Sequence, residues 1–123
     1  MASESLRANE RRRDERRPAR PNLRVCCRKG TTGLGSNLAH ALLDLSASGI
    51  RLRLAERLEP AQEIEVELQT PDVSRPFRIV AEVVWCIAED NGTFMVGAEI
   101  RHSLTYAELR ELTSISRSLA DSQ

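Results

Sequence analysis

A chain of 123 residues without an internal repeat argues for one domain with a modest core, and it contains no apolar run near the roughly 18 residues that a membrane span requires. With 41% apolar but only 3% aromatic residues, that core has to be aliphatic. The formal net charge of zero hides a division: residues 1–29 carry ten Arg or Lys against four Asp or Glu, and the remainder eight against fourteen, so a basic arm precedes an acidic body.

The arm contains "NERRRDERRPARP", Asn9 to Pro21, with no lysine among its arginines. Residues 1–21 have few apolar anchors, two prolines and dense charge, the composition of a flexible segment that can order around a ligand. Its arginines are not followed by an apolar stretch, so the expectation is an untargeted, cytoplasmic protein.

From Asn22 the apolar period becomes two. Leu23, Val25 and Cys27 alternate with Arg24, Cys26 and Arg28, a first strand ended by the loop "KGTTGLGS". Leu38 to Leu45 is a second, more apolar run. In "GIRLRLAE", Ile50, Leu52 and Leu54 alternate with Arg51 and Arg53, and in "EIEVELQ", Ile64, Val66 and Leu68 alternate with Glu63, Glu65, Glu67 and Gln69. If these two strands pair, Arg51 and Arg53 face glutamates; otherwise they read as ordinary outer-face residues. After the loop "TPDVSRP", Phe77 to Ala88 is a long fifth strand, joined through Asn91-Gly92, a two-residue hairpin signal, to a sixth from Phe94 to Arg101. Thr105 and Glu108 then form a capping box between the staple residues Leu104 and Leu109. Leu109, Leu112, Ile115 or Ser116, and Leu119 continue as one apolar helical stripe that should plug one end of the sheet.

The expected fold is all-β: six short antiparallel strands closing into a small barrel, because closure removes exposed edges, with an open sandwich as the alternative. Residues 1–21 form the flexible arm, 22–103 the barrel, and 104–123 the C-terminal helix and tail.

Little here points to catalysis or metal. Cys26, Cys27 and Cys86 have no metal-like spacing and read as packed, reduced thiols. His40 and His102 lack a ligand pattern. There is no nucleophile elbow, no phosphate-cradling loop with its Lys and no His-Glu metal motif, so no enzyme and no cofactor are expected. A nucleic-acid role for the arm is disfavoured by the acidic body and the scarcity of stacking aromatics.

One tight connection stands out: Asp44-Leu45-Ser46-Ala47-Ser48-Gly49, where Asp and Ser favour a turn and Gly49 permits a positive φ or a close approach by another group. Taken together, "RRDER" (Arg12, Arg13, Arg16) and the later Asp44-x-Ser46-x-x-Gly49 resemble the signature pair of the PilZ domain, a bacterial receptor module for cyclic di-GMP. The resemblance runs from about Glu10 to the start of the final helix. Trp85 in "VVWC" and Gly97 in "VGAEI" are similar to the family's last two strands.

The resemblance implies a six-stranded PilZ-type barrel and a non-enzymatic receptor with Arg11, Arg12, Arg13, Arg16, Asp44, Ser46, Gly49 and Trp85 at the ligand. Arginine suits it, because one planar fork pairs with phosphate oxygens or with guanine O6 and N7 and also stacks on a base. Asp44 accepts from guanine N1 and N2, a pattern adenine does not present. Ser46 bonds a guanine edge or a phosphate, Gly49 keeps the turn open, and Arg11 goes with binding of two intercalated ligand molecules. Arg17, Arg20 and two prolines precede the first strand where the family has apolar residues, which leaves Arg13 and Arg17 as an alternative frame to Arg12 and Arg16. The ordered arm would present a new surface to a downstream protein. The alternative reading is a PilZ-like adaptor that binds no nucleotide.

Overall fold

The computed structural model describes residues 15–71 and 75–113. Among them are seven strands, β1 (Arg17–Pro18), β2 (Arg24–Lys29), β3 (Ala39–Leu45), β4 (Gly49–Leu54), β5 (Glu63–Gln69), β6 (Phe77–Ala88) and β7 (Phe94–Ile100), followed by helix α1 (Tyr106–Leu112). All pairings are antiparallel, in the order β1-β3-β4-β7-β6-β5-β2. The sheet curls into a half-barrel. Its ends meet where Leu38 N–H donates to the Cys27 carbonyl at 2.8 Å and Asn37 Oδ1 accepts from Cys27 N–H at 2.9 Å. No continuous ladder joins β2 to β3, so closure is less complete than expected.

The strict alternations produce the core. Ile50, Leu52 and Leu54 from β4 and Ile64 and Val66 from β5 are fully buried, and the core is aliphatic. Cys27 is buried among them; burial pushes its thiol up to about 12, with Cys26 adding to the shift, so it stays protonated at neutral pH.

Three expectations are corrected. The sheet has seven strands rather than six, the added one being β1 from the arginine-rich segment. Two residues carry no readable period, and Pro18, lacking an N–H, sits on the edge where no second partner is needed. Second, β4 does not pair with β5: residues 55–62 carry the chain past β7 and β6, so β4 lies between β3 and β7. Glu65 and Glu67 instead pair with Arg78 and Arg28, and Arg53 forks onto Glu89 at 2.8 and 3.0 Å. Arg53, and then the Thr93 hydroxyl, hold the Glu89 carboxyl down to about 2. Third, the β6–β7 connection spans Glu89 to Thr93 rather than two residues. Gly92 takes φ +88° at its end and donates to the Glu89 carbonyl, the pattern of a three-residue loop closed by a left-handed glycine.

The capping box is present. Thr105 Oγ1 accepts from Glu108 N–H at 3.1 Å, and Glu108 Oε1 accepts from Thr105 N–H at 2.8 Å. Leu104, Leu109 and Leu112 are buried against the sheet; Ile115, Ser116 and Leu119 lie outside the described residues. Thr105→Ala is expected to cost about 1 kcal/mol by removing one half of the box. A thermal melt of the variant checks it, and an unchanged midpoint means the helix start is held by the leucines alone.

Candidate functional site

Two β-bulges build the site. Along β3, Leu42 pairs with Leu52 and Asp44 with Arg51, so Leu43 is an extra residue. Without it, Asp44 would share the core face with Leu42; with it, Asp44 turns to the outer face while Leu45 returns to the core. The same event occurs in β6, where Val83 pairs with Ala98 and Trp85 with Gly97, leaving Val84 extra and bringing Trp85 out of the core.

The two bulges place five residues in one cross-strand row on the outer face: Pro18, Asp44, Arg51, Gly97 and Trp85, contributed by β1, β3, β4, β7 and β6. Trp85 lies flat over Gly97. A Cβ built on that glycine would stand 2.2 Å from indole Cε2 and 2.4 Å from Nε1, so only glycine lets the ring seat against the sheet. Val84 and Ile87 of the same strand are 57% and 52% exposed.

Asp44 is 7% exposed and sits between two guanidiniums. Arg51 donates from Nε (2.8 Å) and Nη2 to Oδ2, and Arg16 Nη1 donates to Oδ1 at 3.2 Å. The Asp44 contact raises the Arg51 pKa above the usual arginine value. Two cations on one carboxylate leave this spot net positive, which suits an anion. The next row is the opposite: Gly49 pairs with Glu99, Glu99 with Glu82 and Glu82 with Glu63, an acidic border.

The turn between β3 and β4 is closed by its own residues. Ser46 N–H donates to the Gly49 carbonyl at 2.9 Å and Gly49 N–H to Ser46 Oγ at 3.0 Å. Ser46, expected at the ligand, is 2% exposed, and its hydroxyl serves the turn. Gly49 does not adopt a positive φ; its role is the close approach, since a Cβ there would meet Arg16 Nη2 at 3.0 Å.

The fold thus brings Arg16, Asp44, Gly49 and, along the row, Trp85 to one face. Arg17, the member of the alternative frame, pairs with the buried Leu45 and points to the other side of β1, where its Nη2 stands 3.9 Å from a Glu15 carboxylate oxygen. Arg11, Arg12 and Arg13 lie outside the described residues. Arg51 is the residue that sequence reasoning passed over: it read as an ordinary outer-face position because its partner is set by strand order and a bulge. Its spacing of seven from Asp44 across a tight turn was the available signal. Among the described residues, no cluster of three or more His, Cys, Asp or Glu can hold a metal, and no helix is long and apolar enough to cross a membrane.

No curated protein and no solved structure matches the chain. A family model, the PilZ domain, matches residues 10–118, a span that contains both motifs, every strand and α1. By that match over nearly its whole length, the chain belongs to the PilZ domain family.

Proposed function

We propose that this chain is a non-enzymatic bacterial receptor for cyclic di-GMP, acting in the cytoplasm. PilZ domains are binding modules and generally bind this nucleotide. The observation that carries the reading is the meeting of two segments 28 residues apart: the Arg16 guanidinium lies on Asp44 and over Gly49. Each half is incomplete alone, since the arginine supplies charge for a phosphate and the carboxylate supplies acceptors for a guanine edge.

In this reading, Arg12 and Arg16 take phosphate or guanine Hoogsteen oxygens and nitrogens, with Arg13 as an auxiliary. Asp44 accepts from guanine N1 and N2. Ser46 shapes the turn that keeps Gly49 level beneath Arg16, and Trp85 offers a flat wall at the far end of the row. The ligand replaces Asp44 as the partner of Arg16, and the arm folds across the sheet, trading chain entropy for charge-assisted hydrogen bonds. Arg11 supports a second, intercalated ligand molecule. No bond is made or broken; the output is a changed surface for a downstream protein.

Calorimetric titration with cyclic di-GMP, with cyclic di-AMP and GTP as controls, tests the reading. Selective binding is expected, with two ligand molecules per chain. Arg16→Ala should weaken binding by at least about 1.5 kcal/mol, the lower end for a hydrogen bond to a charged group, while the melting midpoint holds. Unchanged affinity would remove Arg16 from the ligand site and overturn the Arg12–Arg16 frame. No heat from a folded sample would replace the receptor with the adaptor that binds no nucleotide.

A further inference from the structure

Asp44 holds its two arginines unequally. Arg51 places both Nε and Nη2 on Oδ2, and a carboxylate oxygen has two lone pairs, so Oδ2 is saturated. Oδ1 carries one bond from Arg16, at 3.2 Å. The anchoring of the two cations also differs. Arg51 stands in register opposite Asp44 in the middle of the sheet, with β3 on one side and β7 on the other. Arg16 precedes a two-residue edge strand, and its side chain is 43% exposed.

We infer that Arg51 is a positioning residue that sets guanine specificity: it locks Asp44 through Oδ2 and leaves Oδ1 as the one exchangeable acceptor, where a guanine N–H edge replaces Arg16. The inference rests on the receptor reading above and adds a division of labour to it. Without Arg51 the carboxylate is free to rotate and to pair with Arg16 through both oxygens. The ligand then competes with a stronger internal partner, and the carboxylate no longer presents a fixed oxygen to the base. A guanine edge offers two donors to Oδ1, whereas adenine N1 is an acceptor that the same oxygen repels. Loss of Arg51 therefore lowers selectivity as well as affinity, although the residue need not touch the ligand.

A double-mutant cycle separates action through Asp44 from direct contact. Cyclic di-GMP and cyclic di-AMP are titrated into the native chain, Arg51→Gln, Arg51→Lys, Asp44→Asn and the Asp44→Asn/Arg51→Gln double variant, with a thermal melt of each. Arg51→Gln is expected to bind cyclic di-GMP about tenfold more weakly, the scale of a hydrogen bond to a charged group, and to discriminate less against cyclic di-AMP. Arg51→Lys should recover only part of this, because an ammonium keeps the charge and loses the side-on fork. In the Asp44→Asn background the same Arg51→Gln change should alter affinity by less than about twofold. Equal losses in both backgrounds would overturn the inference by making Arg51 a ligand contact, as would native affinity and selectivity in Arg51→Gln. A native chain that binds neither nucleotide overturns the receptor reading, and this inference with it.

Discussion

Asp44→Ala is expected to lower affinity for cyclic di-GMP by about a hundredfold and to abolish discrimination against cyclic di-AMP, while the fold persists. The size follows from losing hydrogen bonds between a charged acceptor and the guanine edge, about 3 kcal/mol in all. Persistence of the fold follows from where the partners sit. Arg16 and Arg51 have side chains 43% and 38% exposed, so on losing the carboxylate they turn to water rather than remain buried and unpaired. The melting midpoint should therefore move by the equivalent of about 1 kcal/mol or less, because the charges left behind are solvent-accessible. Calorimetry with both nucleotides and a melt on the same sample read the two effects separately. Retained discrimination would remove Asp44 from the specificity role, and collapse of the fold would mean that the carboxylate is chiefly a structural counter-ion.

The parts of this arrangement that were legible in the sequence are those encoded locally. Alternation in "GIRLRL" and "EIEVELQ" placed Ile50, Leu52, Leu54, Ile64, Val66 and Leu68 in the core, and there they are buried. The Thr105–Glu108 box started a helix where such a box must. The illegible parts depend on relations between strands. A bulge is one residue with no fixed chemical signature, yet it inverts the face of everything after it, and the outer placement of Asp44 and Trp85 rests on the extra residues Leu43 and Val84. Strand order is similarly non-local. Arg51 and Arg53 face the glutamates of the next apolar-alternating strand only if β4 and β5 pair, but the sheet inserts β7 and β6 between them, and so gives Arg51 to Asp44 and Arg53 to Glu89. The edge strand β1 escaped notice because Arg17 and Pro18 have neither period nor β-propensity; what orders them is non-local, the pairing with β3 and, at the next two residues, the Ala19–Thr113 bridge and the bond from Arg20 N–H to the Leu112 carbonyl.

Gly97→Ala is the substitution with the largest expected effect on the shape of the outer face. The added methyl would stand 2.2 to 2.4 Å from three atoms of the Trp85 indole, closer than any rotamer adjustment of a rigid ring in place can relieve. The ring has somewhere to go: it lies on the outer face over β7, and Val84 and Ile87 of its own strand are exposed. The expected result is thus a displaced indole over an intact sheet, at a cost of about 1–3 kcal/mol, the range for inserting a methyl into a packed contact. Trp85 is the only tryptophan in the chain, so its fluorescence reports this movement without interference. Emission should shift to longer wavelength as the ring leaves the sheet for water. Because Gly97 lies between Arg51 and Trp85 in the row, the same change removes the flat wall beside the proposed ligand, and cyclic di-GMP should bind about fivefold more weakly, the lower end for loss of a base-stacking partner. A Trp85→Ala background supplies the control. With the indole absent, Gly97→Ala has nothing to displace, and its cost in stability and affinity should nearly vanish, because two groups in direct contact are not additive. Native emission and an unchanged midpoint in Gly97→Ala would show that the ring does not rest on this glycine. An undiminished cost in the Trp85→Ala background would move the effect from the indole to the β7 backbone itself.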